Sequence, residues 1–288
     1  PPFEPTIENG NIVARGATDD KGQMFCHVLA VQSLMAVDGK LPVNVKFVIE
    51  GEEEVGSNNL DNFLRDWRER LKADVVVISD TSMWAKGRPA ITVGLRGLAY
   101  MEVHVRGPSH DLHSGMFGGG VMNPINALGR IIAGLHDADG RVAVGGFYDN
   151  VRPLTEQERA EYLALGHNEE AWRHEIDVAA SPGEVGYTVL ERITARPTLD
   201  CNGIWGGYTG EGAKTVLPSM AHAKISCRLV PNQTPEEIET KLRAHIQANL
   251  PPGVTATVEF HHGAPASIVE RDVPAMKAAQ RALETVWG

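Results

Sequence analysis

The stretch Glu50-Gly51-Glu52-Glu53-Glu54-Val55-Gly56-Ser57 follows directly on an apolar run at residues 43–49. Residues 41–49 read as a strand, and the carboxylates stand at its end. Open α/β sheets hold their ligands at such ends. Clustered carboxylates repel one another unless cations or protons occupy them. Two other segments carry acids in similar positions. Gly16-Ala17-Thr18-Asp19-Asp20-Lys21-Gly22 precedes a helical pattern, and Ile78-Ser79-Asp80 closes a second apolar run at residues 74–78. Three acidic groups, each close to an element end, can converge on a metal centre.

The surrounding pattern predicts an α/β unit. Residues 1–10 read as loop. Residues 22–37 read as a helix with Phe25, Val28, Leu29, Leu34 and Met35 at apolar positions, stopped by Asp38-Gly39-Lys40. Residues 59–70 read as a helix with Leu60, Phe63, Leu64 and Trp67 on one side. Residues 74–78 are short and continuously apolar, as in the interior of a parallel sheet. Alternating strands and helices define the class.

Near Gly94 the pattern changes. Residues 97–105 alternate as a half-buried strand does. A Gly-rich loop follows at 107–120, then a helix at 123–135. Residues 136–210 are irregular, with a helix expected over 156–180. Residues 214–218 and 221–229 read as strands, and 254–260 as another. Between them lies a helix at 234–249, with Thr234 as cap, Pro235 at its first position and Glu237 three residues on. This second region reads as helices layered on an antiparallel sheet. A helix at 274–286 belongs back with the first domain.

The chain has 288 residues, enough for a large core or two domains. Its formal net charge of -10 argues against a partner bound through a nucleic-acid backbone. Three cysteines, with no CxxC pair, suit a reducing compartment and argue against a thiolate zinc site. No signal peptide or bilayer-spanning apolar run is recognisable. The opening Pro1-Pro2-Phe3-Glu4-Pro5 and the closing Val286-Trp287-Gly288 read as cuts through a larger protein.

Each acidic segment has two readings by residue type. Asp19 and Asp20 either cap the following helix or bind a divalent ion. Glu52, Glu53 and Glu54 are either a solvated acidic loop or a division of labour between ligand and free base. Asp80 is a strand-end cap or a ligand. His110 and His113 sit in a Gly-rich loop, where histidine serves as metal ligand or as donor to an oxyanion. Arg228 is a surface strand charge or a bidentate carboxylate binder. Gly118-Gly119-Gly120 lacks the GK[ST] of a phosphate loop. His261-His262 reads as an accidental surface pair, and Cys227 as a small buried hydrophobe.

Taken together these motifs, with Gly94-Leu95-Arg96-Gly97, Asp111-Leu112-His113-Ser114-Gly115 and Ala213-Lys214-Thr215-Val216-Leu217-Pro218, resemble the M20 family of metallopeptidases in its carnosinase-like cytosolic dipeptidase branch. The resemblance extends over essentially the whole chain. It implies a metal-binding α/β domain, truncated at both ends, with an inserted α+β lid and dimerisation domain. The expected boundaries are 1–94, 95–262 and 263–288. It also implies two divalent ions, zinc or manganese, with Asp19 bridging them, Glu54 on one and Asp80 on the other. Glu53 would be the general base, His113 the oxyanion donor, Arg228 the holder of a substrate carboxylate and Thr215 a substrate-binding residue. The Asp19–Asp20 peptide is expected to be cis. The implied enzyme is a cytoplasmic homodimer hydrolysing dipeptides, with no nucleic-acid or membrane partner. The same centre serves N-acyl or N-carbamoyl amino acid amidohydrolases. Two family histidines, one in a His-x-Asp motif expected upstream of Pro1 and one expected beyond Gly288, are not in the sequence. A non-catalytic binding or dimerisation module is therefore the third expectation.

Overall fold

The computed structural model describes residues 1–288. The chain divides into two compact units, one formed by Pro1–Thr92 with Arg271–Gly288 and the other by Val93–Glu270.

The first unit opens with a hairpin of β1 (Thr6–Glu8) and β2 (Asn11–Val13), where a loop was expected. Asn9 and Gly10 both have positive φ, 52° and 81°. That is the turn in which Asn-Gly is favoured, so the signal was present in the sequence. Helix α1 (Lys21–Asp38) matches the predicted helix and ends at Gly39 in the left-handed conformation. The helix expected over 59–70 is broken at Trp67 into α2 (Leu60–Asp66) and α3 (Arg68–Leu71).

Residues 41–49 and 74–78 are not strands in the structure; neither enters any sheet. Strand propensity only becomes a strand when a neighbour accepts the backbone hydrogen bonds. Here the apolar side chains stay in solvent, with Val76 78% and Ile78 79% exposed.

The second unit begins with β3 (Gly94–Leu95) and the long β4 (Gly97–Arg106), followed by β5 (Leu112–His113), α4 (Ser114–Phe117) and α5 (Pro124–Ala133). Two helices, α6 (Glu156–Ala164) and α7 (Glu169–Glu175), replace the single helix expected over 156–180. The chain turns between them at Gly166, whose φ is 67°. Helix α8 (Val189–Thr194) and strand β6 (Thr198–Gly206) lie in the region expected to be irregular. Then come β7 (Val216–Leu217), β8 (Met220–Leu229), α9 (Pro235–Ala248), β9 (Thr255–Ala264) and β10 (Ser267–Ile268). Helix α10 (Pro274–Trp287) closes the chain in the first unit.

Four strands form an antiparallel sheet in the order β6-β8-β4-β9. Period-two alternation divides β4 and β8 into two faces. Ala99, Met101, Val103 and Val105 of β4, with Ala221, Ala223, Ile225 and Cys227 of β8, are fully buried. Helices α5 and α9 pack on that face. They contribute Leu128 and Ile131, and Ile238, Leu242 and Ile246, at helical spacing. Cys227 is a core hydrophobe, as predicted, and burial pushes its thiol up to about 12. Gly97 is required by close approach, because a Cβ there would stand 2.5 Å from the Ala264 carbonyl oxygen.

The segment between α5 and β6 is held by polar groups rather than by regular strands. Glu184 and Arg196 form a buried ion pair at 2.7 Å, and Arg141 adds a second contact at 3.0 Å. Arg159 pairs with the buried Glu191 at 2.9 Å. Thr155/Glu158 and Thr188/Glu191 are complete capping boxes.

Candidate metal centre

The acidic residues of the first unit are positioned by loop and helix starts. The Asp19–Asp20 peptide is cis. Asp20 stands at the N-cap of α1 but makes no side-chain cap hydrogen bond. Capping, one of the two readings of this pair, is therefore not what Asp20 does. Gly22 is required there, since a Cβ would lie 2.6 Å from the Ala17 carbonyl oxygen. The acidic stretch turns through a single 3-10 turn at Glu53–Val55, closed by Gly56 in the left-handed conformation.

Of the four glutamates in that stretch, three have side-chain partners. Glu50 accepts from the Ser57 hydroxyl at 3.1 Å, and Glu52 from the Asn59 amide at 2.9 Å. Glu54 is paired with Arg15. Glu53 has no hydrogen-bond or ion-pair partner, and its carboxyl is raised above the ordinary range. Desolvation contributes first, followed by the like charges of Asp80, Glu54, Asp19 and Glu50. Glu53 is solvent-exposed, so repulsion between carboxylates is the component that persists against water. Asp80, Glu54, Asp19 and Glu50 thus lie close enough for their charges to act on Glu53. Asp80 follows Ser79, whose hydroxyl lies 2.6 Å from His27 Nε2 on α1. Neither His27 nor Arg15 was singled out from the sequence. Both partnerships join residues far apart in the chain, which no local pattern reveals.

The second unit holds the other predicted residues. His113 lies on β5, paired with β7. Its Nδ1 accepts from the Gly115 backbone N–H at 3.1 Å, which leaves the ring proton on Nε2, 3.1 Å from Thr215 Oγ1. His113 and Thr215 are thus in direct contact. Asp111 Oδ1 accepts from the Ser219 N–H at 2.8 Å and from its hydroxyl at 3.0 Å. Those bonds hold the Asp111 carboxyl below its usual range and anchor the loop. His110 Nδ1 lies 2.9 Å from the hydroxyl of the neighbouring Ser109. Arg228 is exposed on β8 opposite Leu98 of β4 and Thr198 of β6, with no carboxylate paired to it. Burial, then the charge of Arg228, lowers the pKa of the neighbouring Arg96. Two guanidinium groups close together, one of them unpaired, favour an anion.

A ligand cluster that sequence reading missed lies on the outer face of the same sheet. Glu102, His104 and His222 each offer one ligand atom, all within 4.8 Å of one another. His104 and His222 are directly opposite in the β4–β8 register, with their Nδ1 atoms 2.8 Å apart. Burial and then the nearby His104 keep the His222 ring below its usual pKa. The sequence shows both residues on alternating strands, but 118 positions separate them and only the strand register joins them. The His261-His262 pair is exposed, as expected, and each ring has a neighbour on β4. His261 Nε2 is 3.4 Å from Glu102, and His262 stacks on Tyr100 with centroids 5.4 Å apart.

Residues 93–254 match the family model described as a peptidase dimerisation domain. The chain is 34% identical over 296 residues to the Beta-Ala-His dipeptidase of Homo sapiens, a match covering 100% of this chain and 58% of that protein. It is 37% identical over 248 residues to the Cys-Gly metallodipeptidase dug1 of Schizosaccharomyces pombe, covering 85% and 52%. Among solved structures, human carnosine dipeptidase 1 superposes with a TM-score of 0.83 at 34% identity, covering 100% of this chain and 62% of that one. An M20 family metallo-carboxypeptidase from Sulfolobus solfataricus gives 0.81 at 36% identity, covering 98% and 64%. The chain spans about half the length of the curated relatives it matches. No helix of the structure is long and apolar enough to cross a membrane.

Proposed function

The chain belongs to the M20 family of metallopeptidases, in its carnosinase-like dipeptidase branch, and on that premise we propose that it serves metal-dependent hydrolysis of the amide bond of dipeptides with a free C-terminal carboxylate. What supports this reading is that carboxylates from three segments, Asp80, Glu54 with Glu50, and Asp19, all act on the charge of Glu53, which has no partner.

The donor set fits divalent cations. It consists of carboxylate oxygens, with Arg15 as the one basic side chain paired to it, and such a concentration of negative charge is relieved by a bound cation. Asp19, Glu54 and Asp80 would hold two ions, zinc or manganese. When bound, the ions supply Lewis acidity and a lowered pKa for water. Glu53 is the group left free to take the proton from the attacking water. As the amide C–N bond breaks, Glu53 returns that proton to the leaving amine. The Nε2–H of His113, now shared with Thr215, is a donor suited to a developing oxyanion. Thr215 orients that donor and lines the substrate. Arg228, charged and unpaired, suits the terminal carboxylate of a dipeptide. The domain reading follows: 1–94 and 263–288 as metal-binding parts, 95–262 as a lid through which two copies pair. Free cysteines suit a cytoplasmic setting.

A second reading has an observation of its own. No residue of the first unit is buried, so a non-catalytic binding or dimerisation role for this chain competes with the enzyme reading. An N-acyl or N-carbamoyl amidohydrolase would use the same carboxylates. The test is turnover of β-Ala-His and Cys-Gly beside N-acetyl and N-carbamoyl amino acids, with zinc or manganese added. The dipeptidase reading expects dipeptide cleavage, abolished by chelator and lowered about 100- to 10,000-fold by Glu53→Gln, with metal binding retained. Undiminished turnover in Glu53→Gln removes Glu53 as base. Metal binding without cleavage of any substrate selects the binding role.

A further inference from the structure

We propose that Glu102, His104 and His222 form a second, separate metal site on the outer face of the sheet, taking one zinc-like divalent cation that clamps β4 to β8. This site is distinct from the carboxylate cluster of the first unit and does not rest on the dipeptidase reading.

The three ligand atoms are placed by strand register rather than by flexible loops. His104 faces His222 across the β4–β8 ladder, and Glu102 faces Lys224 two residues away on the same side. The opposite face of both strands is the packed core, so these side chains stand on a rigid base. The two histidines meet Nδ1 to Nδ1 at 2.8 Å. Two ring nitrogens at that separation must share one proton, since two protons would collide and none would leave two lone pairs opposed. A tetrahedral cation with bonds of about 2.0–2.1 Å separates its nitrogen ligands by about 3.3 Å, so a small outward turn of either ring admits the ion in place of the proton. Glu102 Oε1 lies 3.7 Å from His104 Nδ1 and supplies the third ligand.

The surrounding groups orient these three in the manner of outer partners at metal sites. His104 Nε2 is 3.4 Å from Glu259 Oε2. A carboxylate on the distal nitrogen holds the proton there and directs the Nδ1 lone pair inward. Trp205 stacks on the His222 ring, with centroids 5.0 Å apart and planes 11° apart, and limits its rotation. Lys224 Nζ binds Glu102 Oε2 at 2.7 Å, which leaves Oε1 turned to the histidines. The Glu102 side chain is only 13% exposed. Two imidazoles and one carboxylate select zinc, cobalt, nickel or copper over calcium or magnesium. The fourth position is open to water.

Cobalt(II) is the probe, because three protein ligands and a water give intense visible absorption and carboxylate-only sites do not. The titration uses the full chain carrying Asp19→Asn and Asp80→Asn, so that the acidic cluster is disabled. The expected result is one equivalent bound with strong visible bands. Added zinc displaces the cobalt and raises the melting temperature. His222→Gln abolishes the bands. Glu259→Gln, at an exposed position on β9 that leaves the fold intact, weakens cobalt about 10- to 100-fold. Absence of binding, or bands and affinity unchanged by both His222→Gln and Glu259→Gln, overturns the proposal. Loss of cobalt binding in Asp19→Asn/Asp80→Asn alone would assign the metal to the first unit instead.

Discussion

Val76 stands in a continuously apolar run and Leu242 between Lys241 and Arg243, yet their fates are the reverse of what those neighbours suggest. Leu242 is fully buried, on a helix packed against β4 and β9 of the four-stranded sheet. Val76 is 78% exposed, in a segment with no ladder partner. The difference extends to the units that contain them. Every member of the hydrophobic core lies between Ala99 and Val258, within the second unit. The first unit carries the carboxylate motifs and buries no residue. The acidic motifs and the packed core are therefore housed in different units of the chain. A loop of acids can be specified by a few local residues. A core needs several elements that close on one another.

The sharpest way to break this comparison is amide hydrogen exchange. The amides of β4 and β8 are expected to exchange only through global opening, and those of residues 74–78 almost freely. The protection should differ by more than about a thousandfold. Similar protection in both segments would remove the distinction between the units.

Substitutions give a smaller but more local test. Leu242→Ala leaves a cavity beneath the sheet and should cost about 3 kcal/mol of unfolding free energy. Val76→Ala, in solvent, should change it by less than about 0.5 kcal/mol. Urea midpoints of the two variants measure the contrast, and a large cost at Val76 would show burial that the structure lacks.

Acid provides a test confined to one ion pair. Hydrogen bonds from Arg152 push the Glu158 carboxyl down from 4.5 to about 2, with burial opposing and Thr155 assisting. A carboxyl lowered in the folded state stabilises above its unfolded value and loses that contribution as pH falls through its folded value. The stabilisation from this pair is expected in full above about pH 5 and to fade toward pH 2. Melting curves of wild type and Glu158→Gln should therefore converge on acidification. A constant difference would show that the charge of Glu158 is not what the second unit uses.

Much was legible from sequence alone. Helices α1, α5, α9 and α10 follow from apolar spacing and from local stops and caps such as Gly39 and Thr234, which are short-range facts. The alternation of β4 and β8 already marks one face for burial. The acidic segments were recognisable because each motif is contiguous, and glycines such as Gly22 and Gly97 stand where a side chain would collide with backbone. Tertiary structure alone decided whether apolar runs became strands, since pairing depends on a neighbour outside the run. It also decided which polar residues meet. Arg15 with Glu54, His27 with Ser79, and His104 with His222 are joined by folding across 39, 52 and 118 positions. Residue type and spacing determine local conformation and chemical potential, whereas the partners of an exposed side chain or an unpaired strand are set only when distant segments are brought within hydrogen-bonding distance.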